Sequence, residues 1–373
     1  MNYKAKPKRL LCIVGSMDAG GAETFLMKVY RSIDKNKYQM DFIVSTEKEG
    51  FYDKEILALG GKIYYSPPKS KKLISSLRTI RKIVRDGKYK HVMRISEHSL
   101  ASLDLLAAKL GGANTLIFRS SNASTCGGKA SKLFHKLFAS LPRIVPTIKI
   151  APSTEAAEHV FGKNAIKKDE ALIIKNAISI DDFIFNEQKR DKIREELGIR
   201  DEFVVGHIGR FSNQKNHSFL IEVFAEIVKN HKNSILILVG KGELESSIKE
   251  KINKLGLQDK VIFTGIRSDV SDIMMAMDVF VFPSLFEGMP NVIIEAQATG
   301  LPCIISDTIT KEANITGLVS YISLDESPAE WAKKAMAYAK KSSRKNMKEV
   351  FINKGYDIAL ESKRLMEIVF NDK

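Results

Sequence analysis

The chain has 373 residues, a hydrophobic fraction of 44% and a formal net charge of +15 at pH 7, so its length and apolar content are sufficient for two domains of ordinary size. Its cysteines, Cys12, Cys126 and Cys303, are odd in number and far apart, which excludes a disulfide framework and indicates a reducing compartment. Cys and His show no metal-ligand spacing. The apolar run at residues 10–14 is too short for a signal peptide core or a membrane span, so we expect a cytoplasmic protein.

The first half of the chain alternates short apolar runs with helical patterns, which is typical of a parallel sheet covered by helices on both faces. The runs that predict strands are residues 9–14, 40–44, 62–66, 91–95, 114–118, 148–151 and 171–175. After the first of them, Gly20 and Gly21 precede a helix predicted over residues 24–33. Glycines at a strand-to-helix turn let the backbone approach a phosphate closely, although this pair is not the dinucleotide fingerprint.

The positive charge is confined to the first half. Residues 1–178 contain 32 Lys and Arg against 15 Asp and Glu, whereas the remainder contains 27 against 29. Residues 69–90 and 129–144 are basic and amphipathic, which suits an anionic membrane surface but also a helix that packs on a sheet. Nucleic acid is disfavoured as the anionic partner because no recognised binding motif accompanies the charge.

The second half repeats the alternation, so we expect a second doubly wound domain. Its predicted strands are residues 203–208, 235–239, 261–264, 279–282 and 302–306, and the boundary is predicted within residues 176–200. We therefore predict domains at residues 1–178 and 179–355, with residues 356–373 packed on the first. Ligands of such sheets bind beyond the carboxyl ends of the strands, which predicts a site in a cleft between two facing domains.

Two cations follow the strand at residues 203–208. Arg210 and Lys215 lie in the segment before an apolar helix, where a pair of cations would neutralise a diphosphate leaving group. Isolated solvated charges are the alternative interpretation. After the next strand, Gly240 belongs to a turn with two glycines, which suits a flat base lying against the backbone.

The segment at residues 278–307 predicts a buried strand, a loop and a helix from Pro290 to Thr299. Glu287 lies in the loop and Glu295 on the helix. The helix N-terminus, formed by Gly288, Met289, Pro290, Asn291 and Val292, offers amide groups and a partial positive charge to a phosphate. With a glutamate on either side to accept hydrogen bonds from hydroxyls, the arrangement favours a nucleotide-sugar, the alternative being a capped helix with a solvated glutamate.

Three blocks of sequence together resemble the family-four glycosyltransferases of the GT-B fold, in particular those of bacterial exopolysaccharide and capsule synthesis. The blocks are GGAET at residues 20–24, GRFSNQKNH at residues 209–217 and the pair FEGMP and EAQATGLP at residues 286–290 and 295–302. The pair FEGMP and EAQATGLP is highly specific for this family, whereas the glycine loop GGAET is not. The resemblance extends over almost the whole chain.

The resemblance implies a retaining, metal-independent transfer of a sugar from a UDP- or GDP-sugar, with no cofactor. It implies that Arg210 and Lys215 hold the diphosphate, that Glu295 binds the ribose, and that Glu287 binds the donor sugar. It further implies that residues 288–292 bind the distal phosphate and that Gly20 and Gly21 close over the donor. The acceptor, a saccharide or a polyprenyl-diphosphate-linked saccharide, would bind a basic first domain at the inner face of the plasma membrane.

The sequence departs from the family pattern at the acceptor side. Relatives often have a histidine near the position of Ser121, and this chain has none there. Arg119 and Asn122, with His98, follow strand ends and are our candidates for the acceptor or donor-sugar pocket; an ordinary partly buried histidine is the alternative for His98.

No carboxylate is placed by sequence as a dedicated nucleophile, so a same-face substitution assisted by the departing phosphate is favoured over double displacement. Three other functions stay open: a nucleotide-sugar epimerase, a glycogen-type phosphorylase, and a non-catalytic donor-binding partner of a membrane assembly.

Overall fold

The computed structural model describes residues 6–18, 20–46, 48–121, 129–341 and 343–371, with only the backbone described at residues 70, 71 and 129–132. The chain forms two compact units. The first unit extends to Ile178 and includes the segment from Gly355 onward, and the second unit is Ser179–Lys354.

The first unit contains a parallel sheet of seven strands in the order β3-β2-β1-β4-β5-β6-β7. Each strand predicted in this half is present. The strands are β1 Lys8–Val14, β2 Tyr38–Val44, β3 Ile63–Tyr65, β4 His91–Ile95, β5 Thr115–Arg119, β6 Ile148–Ala151 and β7 Leu172–Ile173.

Helices cover both faces of this sheet because β1 alternates its side chains between two cores. Leu10, Cys12 and Val14 belong to one core, and Leu11 and Ile13 to the other. The helices are α1 Gly21–Ser32, α2 Asp53–Ala58, α3 Lys69–Asp86, α4 Ser102–Leu110, α5 Lys129–Leu137, α6 Leu141–Ile144 and α7 Thr154–Phe161. The helix predicted to start at residue 24 thus begins at Gly21.

The second unit contains a parallel sheet of six strands in the order β10-β9-β8-β11-β12-β13. The sequence prediction found five of them and missed β13, in which Ser320 and Tyr321 interrupt the apolar run. The strands are β8 Phe203–Ile208, β9 Ser234–Val239, β10 Val261–Gly265, β11 Val279–Phe282, β12 Cys303–Ser306 and β13 Val319–Ile322.

All four residues of β11 are buried, as are those of β12, which is expected for strands covered on both faces. The helices of the second unit are α8 Glu187–Glu196, α9 His217–Asn230, α10 Glu245–Lys254, α11 Val270–Ala276, α12 Asn291–Ala298, α13 Pro328–Lys341 and α14 Lys348–Asn353. The doubly wound α/β architecture predicted for both halves is confirmed.

The last helix, α15 Ile358–Phe370, belongs to the first unit. Leu365, Met366 and Val369 join the core that contains Phe25 and Leu26 of α1. The Glu361 carboxylate accepts a hydrogen bond from the Lys175 backbone amide at 2.8 Å. Within the described ranges, no helix has the length and apolar character needed to span a bilayer.

Arg119, expected to line a pocket, lies inside the first unit. Its side chain is 2% exposed, Nη2 donates to Asn176 Oδ1 at 2.6 Å, and the guanidinium lies 3.6 Å from the centre of the Phe25 ring. Burial lowers the pKa of Arg119 to about 9. These contacts argue against an acceptor-binding role, because a guanidinium stacked between core elements holds β5 against α1.

Arg119→Ala is expected to lower the free energy of unfolding by about 2–4 kcal/mol, because it removes a buried stacked side chain and leaves the Asn176 amide oxygen unpaired. Thermal and urea unfolding followed by circular dichroism measure the change. Lys109→Ala, which removes an exposed cation, is the control and should change stability by less than about 0.5 kcal/mol. Wild-type stability in Arg119→Ala would contradict the structural role.

Candidate functional site

An ion pair joins two loops at the carboxyl edge of the second sheet. Lys215 ends a 3-10 turn, Asn213–Lys215, that follows β8, and Glu287 lies in the loop after β11, the strand adjacent to β8. Lys215 Nζ and Glu287 Oε1 are 2.6 Å apart, with side chains 17% and 10% exposed. The sequence placed both residues in one site, and the structure brings them into direct contact.

Backbone and ring contacts fix the two loops to each other. Gln214 Nε2 donates to the Phe286 carbonyl at 2.9 Å, and the Leu285 amide donates to the Gln214 carbonyl at 2.8 Å. Lys215 Nζ also lies 4.6 Å from the centre of the Phe282 ring, where the ring face attracts a cation. The ammonium group is therefore held in one position.

Two buried histidines lie beneath this loop. The rings of His207 and His217 are 4.6 Å apart, and His207 Nδ1 is 2.9 Å from the Val281 carbonyl. Burial and the neighbouring His217 hold the pKa of His207 well below its usual range, and burial with Lys215 lowers that of His217 to about 4. Both rings are therefore neutral near pH 7 and add no positive charge to that of the Lys215 ammonium.

The N-terminus of α12 lies directly after the Glu287 loop. Pro290 is the N-cap residue, one position before the helix rather than inside it, and it has no side-chain acceptor for the first amides. Gly288 and Met289 are buried, whereas Asn291, Val292 and Glu295 are half-buried. Two buried atoms near this end, Ser284 Oγ and Asn291 Oδ1, have no hydrogen-bond partner within the described part of the chain.

Arg210 stands apart from the Lys215–Glu287 pair. Its guanidinium is exposed and lies 3.2 Å from the Glu243 carboxylate, a surface ion pair of low strength. Gly240 has a φ of +136°, and a Cβ there would lie 2.2 Å from the Gly209 carbonyl oxygen. Glycine at this position is thus required by the close approach of two backbone segments.

In the first unit, Gly20 is the N-cap of α1 and Gly21 its first residue. The Glu23 carboxylate lies close to this end of the helix: a Cβ added to Gly20 would be only 2.3 Å from Glu23 Oε2. Burial raises the pKa of Glu23, with a smaller contribution from Asp18. The glycine loop therefore carries an acidic group that sequence reasoning did not select.

His98 belongs to a row of three imidazoles. Its ring lies 5.5 Å from that of His135, which is stacked 4.9 Å from His159. His135 Nδ1 accepts a hydrogen bond from the Ser99 amide at 3.2 Å, and burial lowers the pKa of His135. Asn122 lies outside the described residues.

Ser121, near the position at which the family resemblance implies a histidine, donates to Glu97 Oε2 at 3.2 Å. The negative charge of Glu97 favours the protonated form of His135 and His159 and so opposes the lowering of their pKa by burial. Sequence reasoning missed His135 and His159 because they lie on separate helices, without a motif.

The second unit combines a fixed cation, an adjacent carboxylate and a helix N-terminus at one sheet edge. Such a set can bind an anionic group at the amides and cation while the carboxylate accepts hydrogen bonds from hydroxyls. Sequence reasoning missed Gln214, Ser284, His207 and Glu243, which position or surround this set. In the described ranges, no group of three or more His, Cys, Asp or Glu residues is placed to hold a metal ion.

The sequence matches known proteins. Residues 202–340 match a family described as "Glycosyl transferases group 1". The chain is 34% identical over 358 residues to EpsF of Bacillus subtilis (strain 168), a candidate glycosyltransferase, covering 94% of this chain and 93% of EpsF. It is 30% identical over 240 residues to an Escherichia coli UDP-Gal:alpha-D-GlcNAc-diphosphoundecaprenol alpha-1,3-galactosyltransferase, covering 63% and 62% of the two chains.

Solved structures share the fold. Anabaena HepE in complex with UDP-glucose superposes with a TM-score of 0.76 at 19% identity, covering 97% of this chain and 99% of HepE. WaaG, a glycosyltransferase involved in lipopolysaccharide biosynthesis, superposes with a TM-score of 0.71 at 16% identity, covering 97% and 99%. The GT-B fold implied by the sequence resemblance is confirmed, and the chain belongs to the group 1 family of glycosyltransferases.

Proposed function

We propose that this glycosyltransferase moves a sugar, with retention of configuration and without a metal ion, from a UDP- or GDP-sugar to a saccharide or a polyprenyl-diphosphate-linked saccharide in surface polysaccharide synthesis. The Lys215–Glu287 pair beside the N-terminus of α12 carries the proposal. The names of two relatives, the E. coli galactosyltransferase and a Campylobacter jejuni N-acetylgalactosaminyltransferase, support it because both specify diphospho-undecaprenol acceptors.

The donor diphosphate is assigned to the cations and the helix N-terminus. Lys215 is fixed by Glu287 and the Phe282 ring, so it stabilises phosphate charge with little loss of side-chain freedom. Arg210 would exchange its exposed pairing with Glu243 for a phosphate at small cost. Residues 288–292 are assigned to the distal phosphate through the backbone N–H groups of all of them except Pro290, and the unsatisfied Ser284 Oγ belongs to the same connection between β11 and α12.

The two glutamates are assigned to hydroxyl groups on either side of the phosphates. Glu287 follows the strand end and would accept hydrogen bonds from the donor sugar. Glu295 lies on α12, about one turn beyond its start, and would accept them from the ribose. As the sequence resemblance implies, Gly20 and Gly21 are proposed to contact the donor. His98 is proposed to contact the acceptor.

The transfer step needs no protein nucleophile. An acceptor hydroxyl oxygen forms the new bond to the anomeric carbon on the face from which the bond to the diphosphate oxygen breaks. The hydroxyl proton passes to the departing phosphate oxygen, and the nucleoside diphosphate leaves with the bond electrons. Lys215, Arg210 and the α12 amides stabilise the charge that develops on this leaving group.

Lys215→Ala is expected to lower kcat/KM by the factor that corresponds to losing about 2–4 kcal/mol of transition-state stabilisation. The reason is that it removes the fixed cation beside the leaving group. Transfer from UDP-sugars and GDP-sugars to undecaprenyl-diphosphate saccharides is measured with EDTA present, and NMR of the product gives the anomeric configuration. Lys251→Ala, which breaks the ion pair of Lys251 with Glu222 on another helix, is the matched control. Equal loss in both variants, inverted product or dependence on metal would contradict the proposal.

Glu295→Ala is expected to weaken binding of the nucleotide by about 2 kcal/mol, because it removes a charged acceptor for ribose hydroxyls. The rise in melting temperature with UDP and with GDP measures binding and also identifies the preferred base. Glu330→Ala on α13 is the control, since Glu330 is a helix-start glutamate in a different part of the unit. An undiminished shift in Glu295→Ala would remove the ribose assignment.

We further propose that α5 and α6 attach the first unit to the anionic cytoplasmic face of a membrane. Leu133, Phe134, Leu137 and Ile144 are 58%, 47%, 64% and 77% exposed, and Lys136 and Arg143 are exposed beside them. The other basic amphipathic stretch, α3, directs Ile80 and Val84 into the core, whereas Leu73 and Ile74 near its start are exposed, so packing satisfies only part of its pattern.

Replacing Leu133, Phe134 and Leu137 together by Ser is expected to reduce binding to phosphatidylglycerol-containing vesicles by about tenfold or more, because it removes the exposed apolar face of α5. Co-sedimentation measures bound protein. Leu110→Ser, which changes an equally exposed leucine at the end of α4, is the control. Binding that is insensitive to the triple replacement, or that does not decrease as salt rises, would overturn this attachment.

A further inference from the structure

Two aromatic rings are exposed at the carboxyl edge of the first sheet. Phe51, in the connection between β2 and α2, is 59% exposed, and Tyr65, the last residue of β3, is 48% exposed. β2 and β3 are adjacent parallel strands, so both rings lie on the edge where doubly wound sheets bind ligands. Neither ring contributes to the core of the unit.

A buried carboxylate is hydrogen-bonded to Tyr65 and to the backbone of Gly50, the residue before Phe51. Asp53 is 3% exposed, and its Oδ2 accepts hydrogen bonds from the Tyr65 hydroxyl at 3.3 Å and from the Gly50 amide at 3.0 Å. Phe51 packs edge-on against Tyr52 at 5.0 Å. Asp53 Oδ1 is buried and has no hydrogen-bond partner among the described residues, so this carboxylate retains an unsatisfied acceptor.

The same turn is anchored next to the glycine loop. The Tyr52 hydroxyl lies 3.1 Å from Thr24 Oγ1 in the first turn of α1, and the Tyr52 amide donates to the Met17 carbonyl at 2.9 Å. A Cβ on Gly50 would lie 2.8 Å from the Met17 carbonyl carbon. The exposed rings are thus fixed beside the loop assigned to the donor.

We infer that Phe51 and Tyr65 form a binding platform for a pyranose ring of the acceptor glycan, with Asp53 as the positioning residue. Aromatic faces bind the C–H face of a sugar, and a carboxylate beside them accepts hydrogen bonds from hydroxyls. Asp53 acts through the hydrogen bonds that it accepts from the Tyr65 hydroxyl and the Gly50 amide. The inference rests on the proposed function, because it places the acceptor sugar on the first unit.

The local charge favours a sugar over an anionic membrane as the occupant. Residues 47–55 contain four acidic side chains and two lysines, in contrast to the basic composition of α3 and α5. Among the described side chains of this segment, Lys48, Glu49 and Lys54 are exposed and Glu55 pairs with Arg31, so the surface lacks the basic cluster that attracts anionic lipid to α5 and is compatible with a neutral glycan. Lipid contact is therefore treated as a competing outcome of the test.

The test uses methyl pyranosides of glucose, galactose, N-acetylglucosamine and N-acetylgalactosamine as probes, with saturation-transfer NMR on the full chain. The double replacement Phe51→Ala/Tyr65→Ala is expected to weaken binding by about tenfold. Phe51→Trp keeps both rings and the hydrogen bond between Tyr65 and Asp53, and should retain binding. Leu57→Ala, which changes a leucine 58% exposed on α2, is the matched control.

Lost pyranoside binding in the Ala variant, with binding retained in the ring-preserving variant and in Leu57→Ala, supports the platform. Wild-type binding in the Ala variant overturns it, as does a wild-type chain that binds no pyranoside. Reduced binding to phosphatidylglycerol vesicles without a change in pyranoside binding also overturns it in favour of lipid. The rise in melting temperature with UDP and with GDP, measured on the same variants, distinguishes two kinds of negative result. If only the platform is wrong, the chain still binds a nucleotide. If the proposed function is wrong, the chain binds neither nucleotide.

Discussion

The strand order of the second sheet places Lys215 next to Glu287. β8 lies between β9 and β11, so the chain changes the direction in which it adds strands at β8, and the loops after β8 and β11 leave the sheet side by side. Residues 72 positions apart in sequence thereby form a 2.6 Å ion pair. A ligand site at such a switch point follows from topology, and the adjacent N-terminus of α12 adds backbone amides to it.

Sequence reasoning predicted the elements better than their contacts. Twelve strands were identified from β-branched and apolar runs, whereas β13 was missed because polar residues alternate within it. The Lys215–Glu287 contact was not predictable, because it depends on which strands become neighbours. Arg119 was misplaced because a cation after a strand resembles a ligand-binding group, while its burial depends on Phe25 and Asn176 from distant segments.

The same periodic pattern had different outcomes in two basic helices. α3 and α5 each combine lysines or arginines with large apolar residues at helical spacing. In α3 the core covers Ile80 and Val84 and leaves apolar residues near the start of the helix exposed, whereas in α5 Leu133, Phe134 and Leu137 are all exposed. An amphipathic pattern therefore predicts that a helix has an apolar face. Whether the protein itself covers that face depends on tertiary packing.

The return of α15 to the first unit has a consequence for synthesis of the chain. The Lys175 amide has its acceptor, the Glu361 carboxylate, 186 positions later in the chain. The core around Phe25 likewise lacks Leu365, Met366 and Val369 until α15 has been synthesised. The second unit is complete in sequence before then and can fold first, although it is translated later. During translation the first unit exposes the part of the apolar surface of α1 that α15 later covers.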